Sequence, residues 1–137
     1  MRELTGMAGH RVLLDTAMVI AYLKSEQTVL NRLQGLSVYV ASITIGEMFF
    51  GAYKSSRVND NLRELRGFIA SSNITIIDCD AITGDYYGQI KQSLKRKGRP
   101  IPENDIWIAA TALQHGLTLI SRDAHFNEVD GLDLTTW

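Results

Sequence analysis

Cysteine and proline are nearly absent from this chain, at one and two residues in 137. A lone thiol, Cys79, excludes an intrachain disulfide and any thiolate metal cluster. Beside a strand-like run, it reads as a small buried apolar residue. No apolar run approaches the roughly 18 residues that a membrane-spanning helix takes, and no signal-peptide segment opens the chain. A cytoplasmic protein is therefore expected. Neither sign of charge dominates: 14 Lys and Arg stand against 15 Asp and Glu, for a formal net charge of −1. That excludes capture of nucleic acid by overall charge, though not by a local basic patch. With 45% apolar and 21% charged residues, the composition is that of a folded domain rather than a disordered one. The length suits one domain with a real core. Residues 11–137 read as that domain, and 1–10, which show no period, as a leader or tail.

Strand and helix signals alternate along the domain. Short apolar runs at 11–14, 38–40, 74–77, 117–120 and 132–135 read as strands. Helices are expected at 18–24, 27–33, 44–54, 59–70, 81–97 and 103–115, where apolar residues such as Leu62, Leu65 and Ile69 keep the helical period. Gly35, Gly98 and Gly116 stop three of them. Lys95, Arg96 and Lys97 suit the negative end of the helix dipole. Buried strands alternating with helices imply a three-layer α/β/α fold around a central, mostly parallel sheet of four to five strands.

Four carboxylates stand alone among apolar residues: Asp15, Glu47, Asp105 and Asp123. An isolated carboxylate resists burial unless something offsets its charge. Asp15 and Asp123 fall just past the carboxyl ends of two strands, the edge at which open α/β sheets bind ligands. Glu47 and Asp105 fall near helix starts, within reach of the same edge. Four carboxylates at one point would make a hard-cation site of oxygen ligands. Each also has a plain structural explanation. Asp15 can cap a helix, and Glu47 can form a capping box with Thr44. Asp105 suits a helix N-terminus, and Asp123 can open a turn. Two features go beyond capping. Asp105 shares its helix face with Ile108, Ala109 and Ala112, and Glu47 is followed by Met48, Phe49 and Phe50, which read as buried.

Leu-Leu-Asp-Thr at 13–16, Ser-Ile-Thr-Ile-Gly-Glu at 42–47 with Gly51, Gly-Arg-Pro-Ile-Pro-Glu-Asn-Asp at 98–105 running into Ile-Ala-Ala at 108–110, and Ser-Arg-Asp at 121–123 with Phe126 form an ordered set. With the close at 131–134 and Trp137, that set resembles the PIN-domain ribonucleases of the VapC toxin type over nearly the whole chain. The resemblance implies a PIN-like fold and a metal-dependent endoribonuclease acting as the toxin of a toxin–antitoxin pair. It implies that Asp15, Glu47, Asp105 and Asp123 are catalytic and hold one or two Mg²⁺ or Mn²⁺ ions. It also implies an RNA substrate, a cognate antitoxin protein and a homodimer. Ala17 departs from the family, which often has Asn or Ser there to orient acids or bound water.

Divalent cations acidify bound water and offset phosphate charge. Asp15 and Asp105 are expected as central ligands, Asp123 as a third, and Glu47 at a second ion or on the attacking water. Arg99, Arg122, Asn104 and Ser121 adjoin the acidic motifs and are candidate substrate contacts, with Lys54 and Arg57 extending the track. The antitoxin is expected to lay a helix in an apolar groove beside 18–33 or 62–69. Metal-free chemistry on histidine pairs has only His10, His115 and His125 to draw on. His115 reads as a helix-end charge, and His125 as structural or touching substrate. An aspartyl-phosphate enzyme would want a second acid where Ala17 stands. The remaining alternative is a catalytically weakened PIN-like module that binds RNA or protein.

Overall fold

The structure, a computed structural model, describes residues 9–137. Five strands alternate with six helices. They are β1 (Arg11–Leu14), β2 (Ser37–Ala41), β3 (Ile74–Ile77), β4 (Thr118–Ser121) and β5 (Leu134–Thr136), with α1 (Thr16–Leu23), α2 (Gln27–Leu33), α3 (Ser42–Tyr53), α4 (Val58–Ile69), α5 (Ala81–Lys97) and α6 (Glu103–His115). The strands form one sheet in the order β3-β2-β1-β4-β5, and every pairing is parallel. The expected mostly parallel sheet is thus wholly parallel, with five strands.

Alternation along β1 explains the layers. Val12 and Leu14 point to a core shared with Met18, Val19 and Ala21 of α1, Val29 and Leu33 of α2, and Leu65 and Phe68 of α4. Leu13 points the other way, to Ile90 and Leu94 of α5 and Ile106, Ile108 and Ala109 of α6. All three β1 residues are fully buried, because a parallel sheet is covered on both faces. The chain runs outward from β1 to β2 and β3, then returns to β4 on the other side of β1. The strand order therefore reverses between β1 and β4, which opens a crevice at their carboxyl ends.

Helix ends follow side-chain chemistry. Gly98 and Gly116 close α5 and α6 in the left-handed conformation, at φ 65° and 63°, where glycine escapes the Cβ clash. Asp80 and Thr83 form a reciprocal capping box at the start of α5. Several expectations need correction. Cys79 is exposed, because it lies beyond the end of β3 rather than inside it. Phe50 is 66% exposed, since it falls on the outer face of α3. Thr44 forms no capping box with Glu47: α3 begins at Ser42 with Ala41 as an unassisted cap, so Thr44 lies inside the helix and is fully buried. The turn that Asp123 was expected to open is a short 3₁₀ turn, Ala124–Glu128, with Asp123 Oδ1 accepting from His125 N–H at its start. Gly9 and His10 belong to the fold: Gly9 N–H donates to Gly35 O, and His10 O accepts from Ser37 N–H. The rest of the expected leader lies outside the described residues.

Candidate active site

Asp15 ends β1 and caps α1. Its Oδ1 accepts from Met18 N–H at 2.9 Å, and its Oδ2 accepts from the Ser121 hydroxyl at 2.6 Å. The side chain is buried at 4% exposure. Burial pushes its carboxyl above the ordinary value, against those two donors, and nearby Asp123 adds to the rise. The cap and the ligand readings of Asp15 therefore do not compete, since a single carboxylate can close the helix and face the crevice.

Ser121 ends β4 at 0% exposure. Besides donating to Asp15, its hydroxyl accepts from Asp123 N–H at 2.9 Å. This side chain, a candidate substrate contact in the sequence, has no surface for RNA. It couples the backbone beside one acid to the carboxylate of another. Thr16 does similar work across the crevice, donating to Glu47 Oε1 at 2.7 Å with its oxygen 3.3 Å from the Thr44 hydroxyl. Sequence reasoning missed Thr16. The residue abuts Asp15, but only folding reveals a partner 31 positions away.

Asp105 lies in the first turn of α6, where the helix N-terminus favours negative charge. Even so its carboxyl is pushed up, first by burial, then by Asp15 and Glu47, with His125 opposing. Mutual repulsion among carboxylates, expected when they gather without a cation, is therefore felt at Asp105 from two of the other three. His125 stands between Asp105 and Asp123. Its Nε2 is 2.9 Å from Asp105 Oδ2, but off the hydrogen-bonding direction. Its Nδ1 is 3.0 Å from Asp123 Oδ1, which also accepts from His125 N–H. Of the three histidines, this one reaches the acids. His10 bonds Thr118 Oγ1 at 2.8 Å, and His115 lies in the last turn of α6.

Among the described residues, no three His, Cys, Asp or Glu side chains stand close enough to hold an ion together as they are. The donor chemistry nevertheless fits a hard divalent cation: four carboxylates, two of them with proton affinity raised first by burial and then by neighbouring acids. Protons or a cation can relieve that repulsion.

The remaining candidates divide. Asn104 lines a cavity of about 780 Å³ together with Thr16, Glu47, Ile20, Leu23, Met48, Phe50 and Leu65. Arg99 is exposed. Arg122 is engaged by Glu26, at 2.9 Å. Lys54 lies 4.9 Å over the Phe50 ring, and Arg57 pairs with Asp60 at 2.7 Å. Ala17 is exposed on α1. The orienting role that a polar side chain would take there falls to Thr16, Ser121 and the Met18 amide.

A parallel sheet with carboxylates gathered at its switch point is the architecture of the PIN domain, and residues 12–132 match that family. The chain belongs to the PIN-domain family, among the VapC ribonucleases. It is 31% identical over 131 residues to the tRNA(fMet)-specific endonuclease VapC of Shigella flexneri, covering 93% of this chain and 98% of that protein. It is 34% identical to ribonuclease VapC2 of Haemophilus influenzae, with the same coverage. Among solved structures, VapBC2 of Rickettsia felis bound to a promoter DNA fragment is similar at a TM-score of 0.85 and 28% identity, over 93% of this chain and 98% of that one. DNA-bound VapBC of Salmonella typhimurium is similar at 0.82 and 29%, with the same coverage.

Proposed function

We propose that this chain is a divalent-metal-dependent endoribonuclease, the toxin of a VapBC-type pair, that hydrolyses phosphodiester bonds of transfer RNA. The observation that carries the reading is the gathering of Asp15, Glu47, Asp105 and Asp123 toward the β1–β4 switch point, where burial first, and then Asp123 at Asp15 and Asp15 and Glu47 at Asp105, raise two of the carboxyls. Asp15 and Asp105 would be the central ligands, with Asp123 and Glu47 completing the set around one or two Mg²⁺ or Mn²⁺ ions. When bound, such a cation acidifies water and offsets the charge on the phosphate.

The chain's own groups set the geometry. Ser121 and the Met18 amide fix both oxygens of Asp15, so that carboxylate presents one orientation. Thr16 holds Glu47, which is placed to accept a proton from water approaching the phosphate. His125, with its ring nitrogens 2.9 Å from Asp105 and 3.0 Å from Asp123, would set the spacing of those two acids. The transfer RNA target follows the Shigella relative.

The partner reading rests on the cavity beside Glu47. Its walls, Ile20, Leu23, Met48, Phe50 and Leu65, are apolar and come from α1, α3 and α4. An amphipathic antitoxin helix would fill it, and an antitoxin partner is in keeping with the VapBC assemblies among the similar structures. A homodimer in the cytoplasm completes the proposal, and no helix among the described residues is long and apolar enough to cross a membrane.

Purified protein incubated with bulk transfer RNA in Mn²⁺, Mg²⁺ or excess chelator tests the reading. Discrete fragments that need metal and vanish in Asp105→Asn are expected. Binding without cleavage, by folded protein free of antitoxin, would leave the weakened RNA-binding module instead.

A further inference from the structure

Arg122 leaves the sheet between two residues of the site, Ser121 and Asp123, yet its guanidinium is not adrift. Its Nη2 donates to Glu26 Oε1 at 2.9 Å and its Nη1 to Glu26 Oε2 at 3.4 Å. The two residues are 96 positions apart. Both side chains are about two-fifths exposed, and an ion pair in that setting adds little to stability. Another reason is needed for so definite an arrangement.

The backbone on both sides is pinned. Glu26 N–H donates to Ala21 O at 3.1 Å, and Ser25 N–H donates to Tyr22 O at 3.0 Å, closing α1 in a Schellman pattern. Glu26 O accepts from Val29 and Leu30 N–H at the start of α2. This turn passes through Ser25 at φ 57°, the one non-glycine residue with positive φ among the described residues. An L side chain adopts that conformation at a cost. On the other side, Ser121 is tied through its carbonyl to Trp137 N–H and through its hydroxyl to Asp123 N–H. The Arg122 side chain therefore springs from a fixed base, and Glu26 reaches it from another.

Two donors of the guanidinium serve Glu26. Three of its five N–H groups remain for another anion. The cation is held more firmly protonated by Glu26 first, and by Asp15 as well, which places it within electrostatic reach of the acids. Lys24, on the same turn, is felt by Glu26 and lines the cavity that also contains Thr16 and Glu47. The rim beside the acids thus carries two cations, one of them oriented by a carboxylate. A polyanion crossing an acidic site needs positive charge at its flank to approach at all.

We propose that Glu26 and Arg122 form a phosphate clamp for RNA, in which Glu26 is a positioning residue that holds the guanidinium at the rim of the site, Lys24 adds a second cation, and Arg122 takes a phosphate flanking the one cut. The clamp rests on the nuclease reading above. It makes an unusual demand: on charge alone, removing Glu26 should tighten RNA binding, whereas positioning requires that its removal weaken it.

The test measures binding of bulk transfer RNA to the uncleaving Asp105→Asn protein across a salt series, with cleavage by the wild-type protein followed separately. Arg122→Ala is expected to weaken binding about tenfold and lower the salt slope by about one. Glu26→Gln is expected to weaken it about threefold, because an unheld fork loses its preorganisation, with the melting midpoint unchanged. In the cleaving protein, Glu26→Gln should raise KM and leave kcat nearly unchanged. Arg122→Lys should restore the salt slope but not the full affinity. Equal or tighter binding by Glu26→Gln, an unchanged slope in Arg122→Ala, or no RNA binding by the Asp105→Asn protein would each overturn the clamp. If wild-type protein cleaves RNA in those cases, the clamp alone has failed. If it cleaves nothing under any metal, the nuclease reading has failed with it.

Discussion

The two halves of the acidic site are held in different ways. On one side, Asp15 is buried and both its oxygens accept short hydrogen bonds, from Met18 N–H and Ser121. On the other, Asp105 and Asp123 are joined through a half-buried imidazole by contacts of 2.9 and 3.0 Å. Hydroxyl and amide donors do not themselves change charge with pH near neutrality. A histidine can swing away or change charge, and so leaves the acids it bridges able to take another cation. The difference teaches that half of this site is preorganised and half is adjustable. Affinity for metal is expected to depend on the adjustable half, and alignment on the rigid half.

Substitutions on either side separate the rigid half from the adjustable one. The largest effect is expected from Asp105→Asn, which keeps the shape of the side chain but removes a ligand. RNA cleavage should fall about a thousandfold, in line with losing a principal source of charge stabilisation. A kinetic assay on transfer RNA checks it, and cleavage within tenfold of wild type would remove Asp105 from the site. Ser121→Ala comes next. It strips one donor from buried Asp15 and should cost about 1–3 kcal/mol of stability and roughly 10-fold to 100-fold in activity, read by denaturant unfolding and kcat. Thr16→Val acts on Glu47 in the same manner but nearer solvent, so a drop in kcat of about tenfold with a smaller stability change is expected.

The smallest effect concerns stability without metal. Burial and neighbouring acids raise the Asp15 and Asp105 carboxyls above the ordinary 3.8. The folded state thus binds their protons more tightly than the unfolded chain does. Their stabilising contribution is whole below pH 3.8 and is lost as the pH rises through the raised folded values. In chelator, Asp105→Asn should therefore melt a few degrees above wild type at pH 7 and show a flatter pH dependence between about pH 4 and 7. A lower midpoint for the variant would mean that His125 more than offsets the crowding.

The fold was largely legible in the sequence because its punctuation is chemical. Gly98 and Gly116 stop α5 and α6 where a left-handed residue is needed, and the limits of α2, β3, α5 and α6 agree with the expected ones. The four acids drew notice as candidates because each falls at a strand end or near a helix start. What holds them was not legible. Ser121 and Asp15 are 106 positions apart, and Thr16 and Glu47 are 31 apart, so no periodicity joins either pair. Ser121 was a candidate contact for RNA because it adjoins the acidic motif at Asp123, whereas pairing of β4 with β1 and β5 buries it. Phe50 looked buried because it sits among apolar neighbours on α3. Turn by turn, that helix leaves Phe50 and Tyr53 facing outward, with Phe50 on the groove beside Glu47.

The most direct measurement is calorimetric titration of Mn²⁺ into metal-free protein at two pH values, beside Asp105→Asn. Saturable binding by the wild-type protein is expected, with greater proton release at the lower pH because Asp15 and Asp105 must give up protons that burial and their neighbours help retain, and with binding lost in the variant. No saturable binding by folded wild-type protein, or equal binding by Asp105→Asn, would contradict a cation site built from these four carboxylates.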